Sequence, residues 1–250
     1  MRKIYTLIIT ILIMSNINLL FSQESIEAGN KLLKEIDRNL SPESFESLKK
    51  IINIEPNGTE KEFVLYALKK GNDKMVTTFL SPKSEVGRST LRLDENMWLY
   101  IPNVGKPMRI TSLQSVIGGI FNNSDIMQLD YTAEYNVIEM SDIDKGKLLI
   151  LKAKSSNVAY DQLKMWVSKV HTTPTKIECY TASGMLIKTL HFKQIKNYGN
   201  DIVRPSILET DSPLHKGYKA VMIYANISPR KIDDEVFTLN YMDKIKDLRK

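Results

Sequence analysis

Met97-Trp98-Leu99-Tyr100-Ile101-Pro102 alternates aromatic and aliphatic residues and ends at a proline. Side chains two residues apart on a strand point to the same face of a sheet, so Trp98 and Tyr100 would lie on one side. Aromatic residues favour strands, and proline is confined to strand ends and edges. The run therefore predicts an aromatic strand. Spacing alone favours a place in the core for the two aromatic rings over a place lining a ligand site.

The sequence on the N-terminal side of this strand predicts two hairpins. Thr90–Leu93 and Met97–Ile101 are separated by the turn sequence Asp94-Glu95-Asn96. Lys61–Leu80 contains two alternating stretches on either side of Gly71-Asn72-Asp73, a second turn sequence. These strands are expected to pair with their neighbours in sequence, as antiparallel strands joined by tight turns do.

Two segments are predicted to be other than strands. Ser25–Leu40 has apolar residues near one face of a helix and is followed by Ser41-Pro42, which stops a helix. Arg109–Phe121 has apolar residues at similar spacing but contains Gly118-Gly119, which weakens a helix. We predict a helix for the first segment, and a short helix or a lid-like loop for the second.

Stretches of strand-forming residues separated by turns continue to the C-terminal region. Together with the hairpins they predict about ten or eleven strands, arranged as antiparallel meanders and not as βαβ units. The later stretches are Tyr135–Met140, Lys147–Lys154, Leu163–Val170, Lys176–Tyr180, Met185–Ile195, Ser206–Glu209 and Tyr218–Ile227.

The first 22 residues have the layout of a secretory signal peptide. Arg2 and Lys3 form a positive region, an apolar stretch follows, and Ser22 offers a small residue for cleavage. An uncleaved anchor is the alternative, because residues 4–23 carry no charge. Asn16 and other polar residues in this stretch favour cleavage. We expect a signal peptide over residues 1–22 and a single domain over residues 23–250.

Composition and motifs argue against several classes of function. The formal net charge of +6 is spread along the chain, without the basic and aromatic stripe of nucleic-acid-binding proteins. Cys179 is the single cysteine, so no intrachain disulfide can form. His171, His191 and His215 have no partners at metal-ligand spacing. Motifs for a nucleophile elbow, a P-loop or a zinc protease are absent. We expect no enzyme activity, metal, cofactor or nucleic acid.

The order of these features resembles the LolA-like family of outer-membrane lipoprotein-sorting carriers. The order begins with a signal peptide, a helix and hairpins. The residues that carry the resemblance are Phe79-Leu80-Ser81-Pro82, the Trp98-x-Tyr100-x-Pro102 run, Arg109-Ile110, Ser124-Asp125 and the stretch Thr181–Leu190. Phe121-Asn122-Asn123-Ser124-Asp125-Ile126 departs from the Phe-x-Gly-[Ser/Thr]-Asp-Phe-like segment of that family.

The resemblance implies a mainly β protein with a few helices (α+β), in which an incomplete antiparallel β-barrel, or half-barrel, is covered by helices over an apolar cavity. We hypothesise that the sheet side of the cavity is lined by Phe79, Leu91, Leu93, Trp98 and Tyr100, and the lid side by Leu113, Val116, Ile117 and Ile120. Sequence does not fix which strand face points inward, and a reversed register would substitute Met97, Leu99 and Ile101.

The resemblance also implies a function. It is that of a periplasmic carrier or chaperone that binds the acyl chains of lipoproteins or lipids and transfers them towards the outer membrane. An inner-membrane transporter and an outer-membrane acceptor are the implied partners, and we expect a monomer. Two alternatives stay open: an envelope protein that senses lipid or lipoprotein, and a structural envelope protein whose cavity is filled by its own side chains.

Overall fold

The structure is a computed structural model that describes residues 23–115 and 117–249. The predicted signal peptide, residues 1–22, and the predicted lid residue Val116 lie outside the described residues. Within the described ranges, no helix is both long enough and apolar enough to cross a membrane.

A single antiparallel sheet of 13 strands forms the body of the protein, in the order β6-β5-β4-β3-β2-β1-β13-β12-β11-β10-β9-β8-β7. It is not closed into a barrel, which confirms the predicted half-barrel. The strands are β1 (Ser44–Ile54), β2 (Glu60–Lys70), β3 (Lys74–Ser81), β4 (Ser89–Leu93), β5 (Asn96–Tyr100), β6 (Met108–Ile110), β7 (Tyr135–Ile143), β8 (Gly146–Ala153), β9 (Gln162–Ser168), β10 (Pro174–Tyr180), β11 (Leu186–Asn197), β12 (Val203–Asp211) and β13 (Lys219–Pro229).

Among the described residues, three helices and three 3-10 turns accompany the sheet. Helix α1 covers residues 23–40, as the sequence predicts, and buries Leu33, Ile36 and Leu40 at the spacing of one helical face. Gly29 lets this helix approach β7, because a Cβ atom there would lie 2.7 Å from Val137 Cγ1. The short helices are α2 (Asn123–Ile126) and α3 (Tyr131–Glu134), and the turns are Asp234–Phe237, Leu239–Tyr241 and Ile245–Leu248.

The two edge strands of the sheet are consecutive in sequence, and this explains how the sheet is covered. Strand β6 forms one edge, β7 forms the other, and the chain between them must cross from edge to edge. We call residues 111–134 the covering segment. It includes α2 and α3, and α2 begins with a capping box between Asn122 and Asp125.

Strand register assigns each side chain to one of two faces, because directly opposed residues of antiparallel strands share a face. The inner face lies under α1 and the covering segment, and contributes residues such as Leu65 and Phe79, which oppose each other. The outer face includes Val76, which opposes Leu91. The C-terminal 3-10 turns pack on the outer face through Val236, Phe237, Met242 and Ile245.

The sheet exceeds the predicted ten or eleven strands. The additional pairing includes β6, which falls in the stretch that was predicted as a short helix or a lid-like loop. Met97, Trp98 and Leu99 of β5 supply the edge on which β6 forms. Residues 111–115 and 117–121, the described part of the remaining stretch, contain no helix, so the loop alternative holds there.

Candidate functional site

A cavity of about 50 Å³ lies between the inner face and its cover of α1 and the covering segment. Its apolar wall includes Phe45, Leu190, Phe192 and Leu208 from the sheet. Since one water needs about 10–15 Å³ of such space, the cavity holds a few waters and not an acyl chain. A ligand with a long chain would require the cover to move.

In the part of the chain that the structure describes, five cationic side chains are buried on the inner face, each at most 6% exposed. Burial of a charge is unfavourable unless the charge is paired or hydrogen-bonded. Their contacts therefore decide how this face is used. The five residues are Lys49, Lys69, Arg92, Lys188 and Arg204.

Lys188 and Lys49 bind the region around α2. Lys188 Nζ donates to Asp125 Oδ2 at 2.7 Å and to the Ile120 carbonyl oxygen at 2.5 Å. Lys49 Nζ donates to the Ile126 carbonyl oxygen at 3.0 Å. In both cases the sheet supplies the cation and the covering segment supplies the acceptor.

Arg92 and Lys69 bind the region around α3 in the same way, with the cation on the sheet and the acceptor on the covering segment. Arg92 donates to the Met127 carbonyl oxygen at 3.0 Å and to the Glu134 carboxylate. Lys69 Nζ donates to Asp130 Oδ1 at 2.5 Å. Ion pairs and hydrogen bonds therefore connect the covering segment to the sheet around both α2 and α3.

Asp37 joins α1 to the N-terminus of α3. Its carboxylate accepts hydrogen bonds from the Tyr131 backbone N–H at 2.7 Å, and from the Thr132 backbone N–H and hydroxyl at 2.9 and 2.7 Å. Burial raises the pKa of Asp37 to about 6, against the opposing effect of the hydrogen bonds from Thr132. The charge of this carboxylate therefore changes near neutral pH.

The Tyr224 ring lies close to two cations at the cavity. Lys49 Nζ is 5.2 Å from the centroid of its ring, and Arg204 Cζ is 4.1 Å from the same centroid. Burial raises the pKa of Tyr224, but the charges of Lys49 and Arg204 outweigh this effect, and the pKa is lowered. Burial, together with Arg204, also lowers the pKa of Lys49. Two cations, Lys49 and Arg204, and a tyrosine are thus electrostatically coupled at the cavity.

The structure places the predicted lining residues on both faces of the sheet. Phe79, Ile117 and Ile120 pack in the inner core. The outer face instead holds Leu91, Leu93, Trp98 and Tyr100, which pack with the C-terminal turns. Leu113 is 56% exposed.

Register explains the separation. Trp98 opposes Leu91, which opposes Val76, so all three lie on the face opposite Phe79. On β5 the alternative register considered above therefore applies, in which Met97 and not Trp98 points to the inner face. Met97 is 1% exposed and packs with Met75, Met127, Leu129 and Ala67 under the covering segment.

Sequence reasoning missed the buried cations. A usable signal exists, since Lys49 follows Ser47 and precedes Ile51 at the inward positions of β1, and Lys69 follows Ala67 in the same way on β2. A lysine at an inward position of an alternating strand is a candidate for a buried partner. The pattern does not identify that partner.

Comparison with known proteins agrees with this architecture. A LolA superfamily protein from Nitrosomonas europaea has 27% sequence identity and a TM-score of 0.76, over 84% of this chain and 97% of that chain. A domain from Vibrio parahaemolyticus assigned to outer membrane lipoprotein sorting and a DUF1329 family protein from Desulfovibrio piger each have 20% identity. Their TM-scores are 0.72 and 0.75, over 87% of this chain and 99% of theirs.

The fold and its covered inner face define an open half-barrel of the LolA type. A family model with the description "Uncharacterized protein" matches residues 71–244. No curated protein matches the sequence. The chain belongs to that family, and its fold is that of the LolA superfamily protein from Nitrosomonas europaea.

Proposed function

We propose that the protein is a periplasmic carrier that binds acyl chains of lipoproteins or lipids and releases them towards the outer membrane. The observation that carries the proposal is the cover: the inner face is closed by a segment that combines apolar contacts, such as those of Phe121 and Ile126, with buried ion pairs and hydrogen bonds to the sheet. Such contacts can break while the hydrogen bonds of the sheet remain intact.

The energetics favour reversible loading. An acyl chain gains about 0.8 kcal/mol for each methylene group that leaves water. Against this, loading must displace the covering segment and break contacts such as Lys188–Asp125 and Lys69–Asp130. The difference between these two terms sets the affinity, and a moderate affinity allows release.

The cellular setting belongs to the same proposal. A signal peptide over residues 1–22 would export the chain, and the lipoprotein-sorting assignment of the Vibrio relative supports a route between membranes. An inner-membrane transporter would load the carrier, and an outer-membrane acceptor would unload it. We propose that the carrier acts as a monomer and performs no catalysis.

The small closed cavity favours one competing function, that of a structural envelope protein that takes no ligand. Uptake of a fluorescent fatty-acyl probe separates the two. Ile117 on the covering segment is half-buried against the inner core, whereas Leu113 is 56% exposed. We expect Ile117→Asp to abolish uptake and Leu113→Asp to preserve it, both with an unchanged β-sheet circular dichroism spectrum. Absence of uptake by the unmodified protein would favour the structural function.

A further inference from the structure

Two of the five inner-face cations differ from the others in their partners. Lys69 pairs with Asp130, Arg92 with Glu134 and Lys188 with Asp125. All three carboxylates belong to the covering segment. Lys49 and Arg204 pair with no carboxylate among residues 23–115 and 117–249. These two line the cavity, and the three paired cations do not.

Backbone carbonyl oxygens take up part of the hydrogen-bonding capacity of these two cations. Lys49 Nζ carries three donors and makes one hydrogen bond within the described chain, to Ile126. Arg204 donates to the carbonyl oxygens of Leu40 and Pro205. Neither contact neutralises the buried charge, and buried cations are normally paired with an anion.

Acidic residues also line the cavity, but each is engaged elsewhere. Asp125 accepts from Lys188 and Tyr160, and Asp130 accepts from Lys69. Asp37 holds the N-terminus of α3. The lining therefore contains two cations without a carboxylate, Lys49 and Arg204, against one carboxylate without a cation, Asp37. The remaining excess of positive charge lies beside the Tyr224 ring.

We propose that the ligand is an amphiphile with an anionic head group, seated between Lys49 and Arg204 beside Tyr224. The chain of the ligand would run along the apolar wall formed by Leu190, Phe192 and Leu208. An ammonium and a guanidinium together suit a carboxylate or a phosphate, which both accept charge-assisted hydrogen bonds. This inference rests on the proposed carrier function and adds the class of ligand.

The test compares charged and neutral amphiphiles of equal chain length. Two pairs are used: palmitate with its neutral partner methyl palmitate, and hexadecyl phosphate with its neutral partner hexadecanol. Each compound is titrated into the delipidated protein at neutral pH, in competition with the fluorescent acyl probe. We expect the anion to bind at least about tenfold more tightly than its neutral partner in one pair or both. The pair with the larger ratio identifies a carboxylate or a phosphate head group.

Variants connect this preference to the two cations. Lys49→Met and Arg204→Met keep side-chain length and remove the charge, and each should reduce the preference for the anion while preserving affinity for the neutral ligand. Lys50→Met removes the neighbouring cation of β1, which lies on the opposite face and pairs with Glu62, and should keep the preference.

The outcomes separate the inference from the function on which it rests. Equal binding of anionic and neutral ligands by the unmodified protein would overturn the head-group site and leave the carrier function standing. Binding of neither ligand would overturn both. The comparison with the unmodified protein decides the matter even where a variant fails to fold.

Discussion

Lys188 on β11 and Asp125 on α2 form a buried ion pair, with 2.7 Å between Nζ and Oδ2, that joins the sheet to the covering segment. Asp125 also accepts from the Tyr160 hydroxyl at 2.8 Å and from the Asn122 backbone N–H at 3.0 Å. The side chains of Lys188 and Asp125 are 5% and 2% exposed, so this contact is shielded from water. Together with the hydrogen bond from Lys49 to the Ile126 carbonyl oxygen, it holds α2 against the sheet.

Removal of the Asp125 charge should therefore destabilise the protein strongly. Asp125→Asn leaves the Lys188 ammonium buried without its counter-charge, which costs about 3–5 kcal/mol. Urea unfolding measures the loss. The matched control is Asp142→Asn, because Asp142 pairs with Lys147 on the surface and is 84% exposed. Its loss should stay below about 1 kcal/mol. Equal effects of the two changes would contradict this account of α2.

Stability should depend on pH through Asp37. Since burial raises the pKa of Asp37 from 3.8 to about 6, the folded state binds more protons than the unfolded state between these values. Stability contributed by this residue therefore falls as pH rises through that window, by about 3 kcal/mol. The measurement is the unfolding free energy from pH 4 to pH 7, compared with Asp37→Asn. A gain in stability of the unmodified protein over the variant as pH rises would contradict the assignment.

Gly119 marks a close approach between the covering segment and β1. A Cβ atom there would lie 2.2 Å from Asn53 Oδ1, and Asn53 Nδ2 donates to the Ile117 carbonyl oxygen at 3.3 Å. We expect Gly119→Ala to destabilise the fold by about 1–3 kcal/mol through overpacking. The double variant Gly119→Ala with Asn53→Ala should recover part of that loss. Purely additive effects in thermal unfolding would show that the contact with Asn53 is not the cause.

Tryptophan quenching can identify the face that takes the ligand. Both tryptophans, Trp98 and Trp166, lie on the outer face, because their neighbours Met97 and Met165 point inward. A brominated fatty acid bound on the inner face should leave their fluorescence largely unquenched. The Ile117→Trp variant adds an indole on the covering segment and should be quenched on binding. Strong quenching of the unmodified protein would instead place the ligand at the outer face.

Local sequence patterns predicted most of the secondary structure, and the family resemblance predicted the half-barrel. Alternation and turn residues located most strands and helix α1, since local patterns reflect secondary structure directly. The short strand β6 was not predicted, because the three residues Met108–Ile110 are too few to show alternation. Its pairing is provided by β5.

The candidate site was less accessible to sequence reasoning. A shift of one residue in register reverses the face of every side chain, and this is why Trp98 was expected in the cavity and Met97 occupies the inner face. The pairing of Lys188 with Asp125 joins residues that are 63 positions apart. No local pattern encodes such a contact.

The most direct test of the carrier function is native mass spectrometry with lipid extraction, on the processed protein purified from a cell envelope. The account predicts that an acyl-bearing lipid or lipoprotein co-purifies with the unmodified protein and is lost from Ile117→Asp. A ligand-free mass, together with no uptake of the fluorescent fatty-acyl probe, would contradict it.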